Sequence, residues 1–106
     1  MISRIWHGYT TKDKADTYES LLQKEIFAGI ANKNIKGYMG IQLLRRELPA
    51  ETEFITIMWF DSVDSVKEFA GEDYERAVVP ASAQRVLSHY DKISAHYTVK
   101  TDEYSR

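Results

Sequence analysis

Three histidines, two tryptophans and seven tyrosines are the side chains of this chain best able to do chemistry. His96 stands beside Tyr97 in Ile93–Val99, a run that reads as a strand. An imidazole there is the first candidate for a general base near neutral pH. The competing reading is a structural histidine that satisfies a neighbour. His7 lies on the first expected strand, next to the last in the topology derived below, and meets His96 if both point to one face. Two histidines without a nearby carboxylate make a poor metal site, so no metal is expected. His89 follows Ser88 at the end of an expected helix, where a cation suits the helix dipole.

Trp6 and Trp59 have the flat surface to stack on an aromatic ligand, or are ordinary core. Phe69, Tyr74 and Tyr90 fall on segments expected to be helical and to roof a pocket. A tyrosine hydroxyl there binds a phenolate, or merely sits at the rim. Arg4 is charged among apolar strand neighbours, and either binds an anionic ligand or pairs with an acid at a subunit interface. Asp61 and Asp64 form an acid pair on paper, but capping of the following helix explains Asp61.

Composition removes whole classes of function. No cysteine is present, which excludes disulfides, thiolate metal sites and cysteine nucleophiles. Net charge is −2, from 14 basic and 16 acidic residues spread along the chain, so no basic stripe marks a nucleic-acid face. No apolar stretch approaches the ~18 residues needed to span a membrane, and the N-terminus lacks the pattern of a secretory signal. The expected location is the cytoplasm. No Gly-rich phosphate loop, nucleophile elbow or metal-ligand spacing occurs. Hydrophobic residues at 43% and charged residues at 28% fit one globular domain over residues 1–100, with a polar tail at 101–106.

The elements that must position these side chains follow from periodicity. Ile2–Gly8 alternates as a strand, with Ile2, Arg4 and Trp6 on one face and Ser3, Ile5 and His7 on the other. A helix is expected from the Thr10/Thr11 cap to about Ala28, burying Ala15, Tyr18, Leu22 and Ile26 and stopping at Gly29. Gly37–Arg46 and Glu53–Phe60 read as a hairpin around Pro49. A second helix, Val63–Ala70, is capped by Asp61 or Ser62, turns Val63, Val66 and Phe69 inward and ends at Gly71. A short helical piece at Asp73–Val79, a helix from Pro80 to about Tyr90 and the strand Ile93–Val99 complete the chain.

The order is βαββαβ. This is an α+β, ferredoxin-like plan, a four-stranded antiparallel sheet with helices on one face. Phe54–Phe60 is apolar on both faces, since only Thr56 interrupts it. A water-facing sheet should alternate, so the second face is expected to meet the sheet of a second copy.

The residues that carry a family likeness run through most of the chain. They are Ile2-Ser3-Arg4-Ile5-Trp6-His7-Gly8, Leu43-Leu44-Arg45-Arg46, Trp59-Phe60-Asp61-Ser62, Phe69-Ala70-Gly71-Glu72-Asp73-Tyr74, Val79-Pro80 and His96-Tyr97. In order and spacing the series resembles the antibiotic biosynthesis monooxygenase family of dimeric α+β barrels, over roughly residues 2–99. The resemblance implies a homodimer with a pocket between helices and sheet in each subunit. It also implies cofactor-independent oxygenation of a small aromatic or quinol-type compound, whose anion passes an electron to oxygen. A non-catalytic ligand-binding or stress-related dimer of the same fold is the alternative. A haem-degrading branch of the superfamily uses an asparagine, a tryptophan and a histidine. Their positions fall here on Trp6 or His7, on Phe69 and on Val79, so haem is not expected and the expected cofactor set is empty.

Overall fold

A computed structural model describes residues 1–103; Tyr104–Arg106, the end of the expected tail, lie outside the described residues. Strand β1 (Ile2–Thr10) lies at the centre. One neighbour is β3 (Thr52–Phe60), antiparallel, with Ile2 opposite Phe60 and Thr10 opposite Thr52. Beyond it lies β2 (Tyr38–Glu47), joined to β3 by the expected hairpin. The other edge of β1 is shared by two short strands. β4 (His89–Tyr90) pairs with Gly8 and Tyr9, and β5 (Ala95–Thr98) pairs with Ile2–Ile5. The order β2-β3-β1-β4/β5 is the ferredoxin-like one, with its last strand split in two.

Above one face runs a long helix in three windings: α1 (Ala15–Leu21), a π turn (Leu22–Ile26) and α2 (Phe27–Asn32). It continues past Gly29, the stop expected from sequence. Ala15, Tyr18 and Leu22 of the expected stripe are buried. They pack with Trp6, Phe54, Ala83 and Leu87 in one core cluster. A second cluster joins Met58 and Phe60 to Val66 of α3 (Val63–Ala70). The α3 cap forms as the sequence indicates. Ser62 Oγ accepts from the Ser65 N–H at 3.3 Å, and Ser65 Oγ donates to Asp61 at 2.7 Å. Val63, expected to face inward, is exposed at the first turn.

Two helices expected from sequence are replaced. Residues 73–79 form a turn and extended chain, with an isolated antiparallel bridge between Arg76 and Ile93. The helix after Pro80 is only α4 (Ala81–Gln84). The chain then leaves for the sheet, where Ser88 and Asp91 donate backbone bonds to Tyr9 and His7 carbonyls at 2.8 and 2.9 Å. These ladder bonds fix His89 and Tyr90 as strand. His89 therefore caps no helix. It stacks on Tyr9 at 4.2 Å, and its Nε2 meets Glu51 at 2.9 Å.

The register assigns each sheet face. Phe54 and Phe60 are fully buried beneath the helices, so Thr52, Phe54, Thr56, Met58 and Phe60 form the inner row of β3. Arg4, Trp6, Gly8 and Thr10 lie opposite that row and face inward too. Ile5, His7, Ile55, Ile57 and Trp59 point to the uncovered face. They are joined there by Leu44 and Tyr97, which are 44% and 57% exposed.

Candidate functional site

A cavity lies between the long helix, α3, α4 and the inner sheet face. Its walls are Leu22, Ile26, Phe27 and Ile30 of the long helix, Phe69 of α3, and Val78, Val79 and Pro80. Trp6, Met58, Thr56 and Arg4 lie on its sheet side, with Tyr18 and Ser94 completing the polar groups. The cavity is narrow, offering ≈ 60 Å³ to the centres of water-sized molecules.

Arg4 dominates its electrostatics. The side chain is 3% exposed, yet no carboxylate pairs with it among the described residues. Nη1 donates to the Tyr74 carbonyl and bonds His96 Nε2 at 3.0 Å; Nη2 donates to the Arg76 carbonyl at 3.1 Å. The guanidinium also lies 5.6 Å from the centre of the Phe69 ring. Burial lowers its pKa to about 10, so it remains a cation at neutral pH. Those contacts hold the group in place without neutralising it. Of its five N–H donors, Nε and one on Nη2 find no acceptor among the described residues. A buried cation without a carboxylate partner attracts negative charge.

His96 lies behind Arg4 and not in the cavity lining. A guanidinium only donates, so Nε2 of His96 is the acceptor and its proton sits on Nδ1. Burial, then the Arg4 charge, lowers its pKa. The nitrogen that a general base would use is thus occupied. In this geometry the Nε2 of His96 is turned to Arg4 and not to the cavity.

The other expected site residues divide. Trp6 and Phe69 line the cavity. Trp6 is held by its Nε1 donating to the Asp91 carbonyl at 2.7 Å. The Tyr74 ring is outside, edge-on to His96 at 5.2 Å; its carbonyl, not its hydroxyl, serves the site. Tyr90 is on β4 and not on a roofing helix, tilted against Trp6 with ring centres 6.1 Å apart. His7 and Trp59 are on the uncovered face, across the sheet from the cavity. His7 Nδ1 bonds Glu53 at 3.1 Å there, so it does not approach His96. Arg4 faces inward, which removes its reading as an interface ion pair. Among the described residues no cluster of three His, Asp or Glu could hold a metal ion.

Sequence reasoning passed over Tyr18, Thr56 and Ser94. Tyr18 fell in the buried helix stripe and was read as core, and two small hydroxyl side chains carry little signal alone. The available clue was a tyrosine in an otherwise aliphatic and alanine stripe.

Fold and cavity together define the class: a ferredoxin-like α+β domain with an apolar cavity, cationic at one end, between helices and sheet. A crystal structure of a candidate antibiotic biosynthesis monooxygenase from Bacillus cereus shares that fold. It superposes with a TM-score of 0.69 and 13% identity, over 98% of this chain and 97% of that one. No family model and no curated protein sequence matches the chain.

Proposed function

We propose that the cavity binds a small phenolic or quinol-type compound as its oxyanion, and that the bound anion reacts with molecular oxygen without a cofactor. The observation that carries this reading is Arg4, a buried cation that, among the described residues, has free donors and no carboxylate partner. The fold shared with a candidate monooxygenase supports it.

In this mechanism Arg4 lowers the pKa of the bound phenol and holds the oxyanion in a dry site, where the interaction is strongest. The electron-rich anion gives one electron to molecular oxygen. The resulting radical and superoxide combine at a ring carbon, forming a C–O bond. The O–O bond then breaks, one oxygen stays on carbon and the other leaves as water. For a quinol the balance closes without a further reductant. One oxygen atom enters a ring C–H bond as a hydroxyl, and the other takes two hydrogens from the ring hydroxyls to become water. The quinol thus leaves as a hydroxyquinone. Among the described residues no histidine or carboxylate lines the cavity, so the substrate's proton departs to solvent as the anion binds.

The same face logic supports a homodimer through the uncovered side of the sheet, where Ile5, Ile55, Ile57 and Trp59 form an apolar patch. The lack of a histidine or carboxylate in the cavity lining, among the described residues, also favours a second reading, a dimer that binds such anions without turning them over.

Oxygen uptake with a panel of hydroquinones and anthrones tests the enzyme. Wild type is expected to consume oxygen, Arg4→Lys to retain part of the rate, and Arg4→Met to lose roughly 10²–10³-fold, the usual worth of an oxyanion-stabilising group. No uptake by wild type across the panel overturns catalysis. Binding that persists without uptake selects the second reading.

A further inference from the structure

The cavity beside Arg4 does not stand alone. A second hollow of ≈ 230 Å³ adjoins it and shares Ile26, Ile30, Phe69, Val78 and Pro80 as walls. Its own rim adds Glu25, Gly29 and Lys33. Phe69 lies between two cations: the Arg4 guanidinium is 5.6 Å from its ring centre and the Lys33 ammonium 5.2 Å. The inner chamber, at ≈ 60 Å³, is less than half the ~150 Å³ of a cavity that admits benzene. It has room for a head group of a few heavy atoms, and the outer chamber for an apolar body.

Arg4 offers that head group a pair of donors. Nη1 gives its N–H groups to the Tyr74 carbonyl and to His96, and Nη2 gives one to the Arg76 carbonyl. Nε–H and one donor on Nη2 are left among the described residues. In a planar guanidinium the Nε hydrogen lies on the Nη2 side. The two therefore form one edge of the fork, the edge that takes both oxygens of a carboxylate in parallel. A carboxylic acid also arrives ionised at neutral pH, whereas a phenol must first lose its proton. Among the described residues no histidine or carboxylate lines the inner chamber to take one, so a ligand already charged suits it. Lys33 is no equal seat: it is exposed and shares its rim with the Glu25 carboxylate, while Arg4 is buried.

We propose that this pair of chambers binds monocarboxylic acids with a short apolar chain. The carboxylate seats on Nε and Nη2 of Arg4, and the chain runs past Phe69 into the outer chamber. Such an acid competes with a phenolic anion for Arg4, but its binding does not depend on the phenolic reading. The charge holds the head, and each methylene buried in the outer chamber adds about fourfold in affinity.

The test is calorimetric titration of the whole protein with acetate, butyrate, hexanoate and hexanamide. Wild type is expected to bind hexanoate at least about tenfold more tightly than hexanamide, which has the same chain and no charge. Affinity should rise about fourfold per methylene from acetate to hexanoate. Arg4→Lys keeps the charge but not the paired donors and should weaken hexanoate about tenfold, while Lys33→Met leaves it unaltered. A β-carbon at Gly29 meets nothing within 4 Å, so Gly29→Phe can fill the outer chamber. It should flatten the rise with chain length and leave acetate unaffected. The proposal is overturned if hexanamide binds as tightly as hexanoate, or if the wild-type series is flat. It is equally overturned if Lys33→Met weakens hexanoate and Arg4→Lys does not, or if Gly29→Phe leaves the rise intact. Should Arg4→Lys fail to fold, the wild-type comparisons still decide. The phenolic reading fails separately, when hydroquinone does not bind a protein that binds hexanoate.

Discussion

Arg4 shows how one side chain organises a site. Burying an unpaired guanidinium is costly, and the fold offsets that cost with two carbonyls, an imidazole nitrogen and the face of Phe69. His96 belongs to that arrangement, which makes its protonation a stability question. Burial and Arg4 depress its folded pKa below the ordinary value near 6.5. Between those values the unfolded chain takes up a proton that the folded one refuses. Stability is therefore intact above about pH 6.5 and falls as pH drops through it. His96→Gln keeps an acceptor for Arg4 without a titration. Its melting temperature should fall less between pH 7 and pH 5 than that of wild type, and parallel profiles would contradict the role. The sequence offered Arg4 two roles and could not choose. In β1 both faces mix polar and apolar residues, and in β3 both are apolar. Parity alone therefore does not say which row meets the helices; only the full burial of Phe54 and Phe60 does.

At the scale of elements, strong local signals survived and weak ones yielded to pairing. The hairpin, α3 with its Ser62 cap, and the first helix were legible because a period, a cap or a turn residue marks each. The helix expected from Pro80 to Tyr90 was not, since its far end is decided by backbone bonds to β1 more than seventy residues away in sequence. That long-range pairing also sets the cavity wall. Gly8 has no side chain because the Trp6 indole folds across it. A β-carbon there would lie 2.5 Å from one ring carbon of Trp6 and 3.1 Å from Leu87. Gly8→Ala should thus cost about 1–3 kcal/mol by overpacking and displace the indole. Chemical denaturation and the near-ultraviolet circular dichroism of tryptophan read the two effects; wild-type stability together with an unchanged tryptophan signal would refute the packing account.

Over the whole molecule, the sheet has one dry face and one that is apolar but uncovered. The apolarity of Phe54–Phe60 on both sides was legible from sequence, and the structure assigns it. Met58 goes to the cavity and Trp59 to the far side. A homodimer through that far side predicts a mass near twice 12.3 kDa by light scattering at micromolar concentration. Ile57→Glu, at the middle of the patch opposite Ile5, should return it to the single-chain mass while leaving the cavity residues in place. A wild-type protein of single-chain mass would dismiss the dimer.

The π turn at Leu22–Ile26 has a consequence for how such a protein can change over generations. It stores one residue more than ordinary winding needs, within the wall that Leu22 and Ile26 give the cavity. Loss of a single codon at exposed Gln23 is expected to restore ordinary winding there and to turn a different set of side chains toward the cavity. The register between β1 and β3, which fixes Arg4, lies outside the segment altered. The shape of the cavity can therefore drift by insertion and deletion in the helix while the sheet keeps its cation, so descendants of one scaffold can diverge in the cavity's walls without first losing its charge.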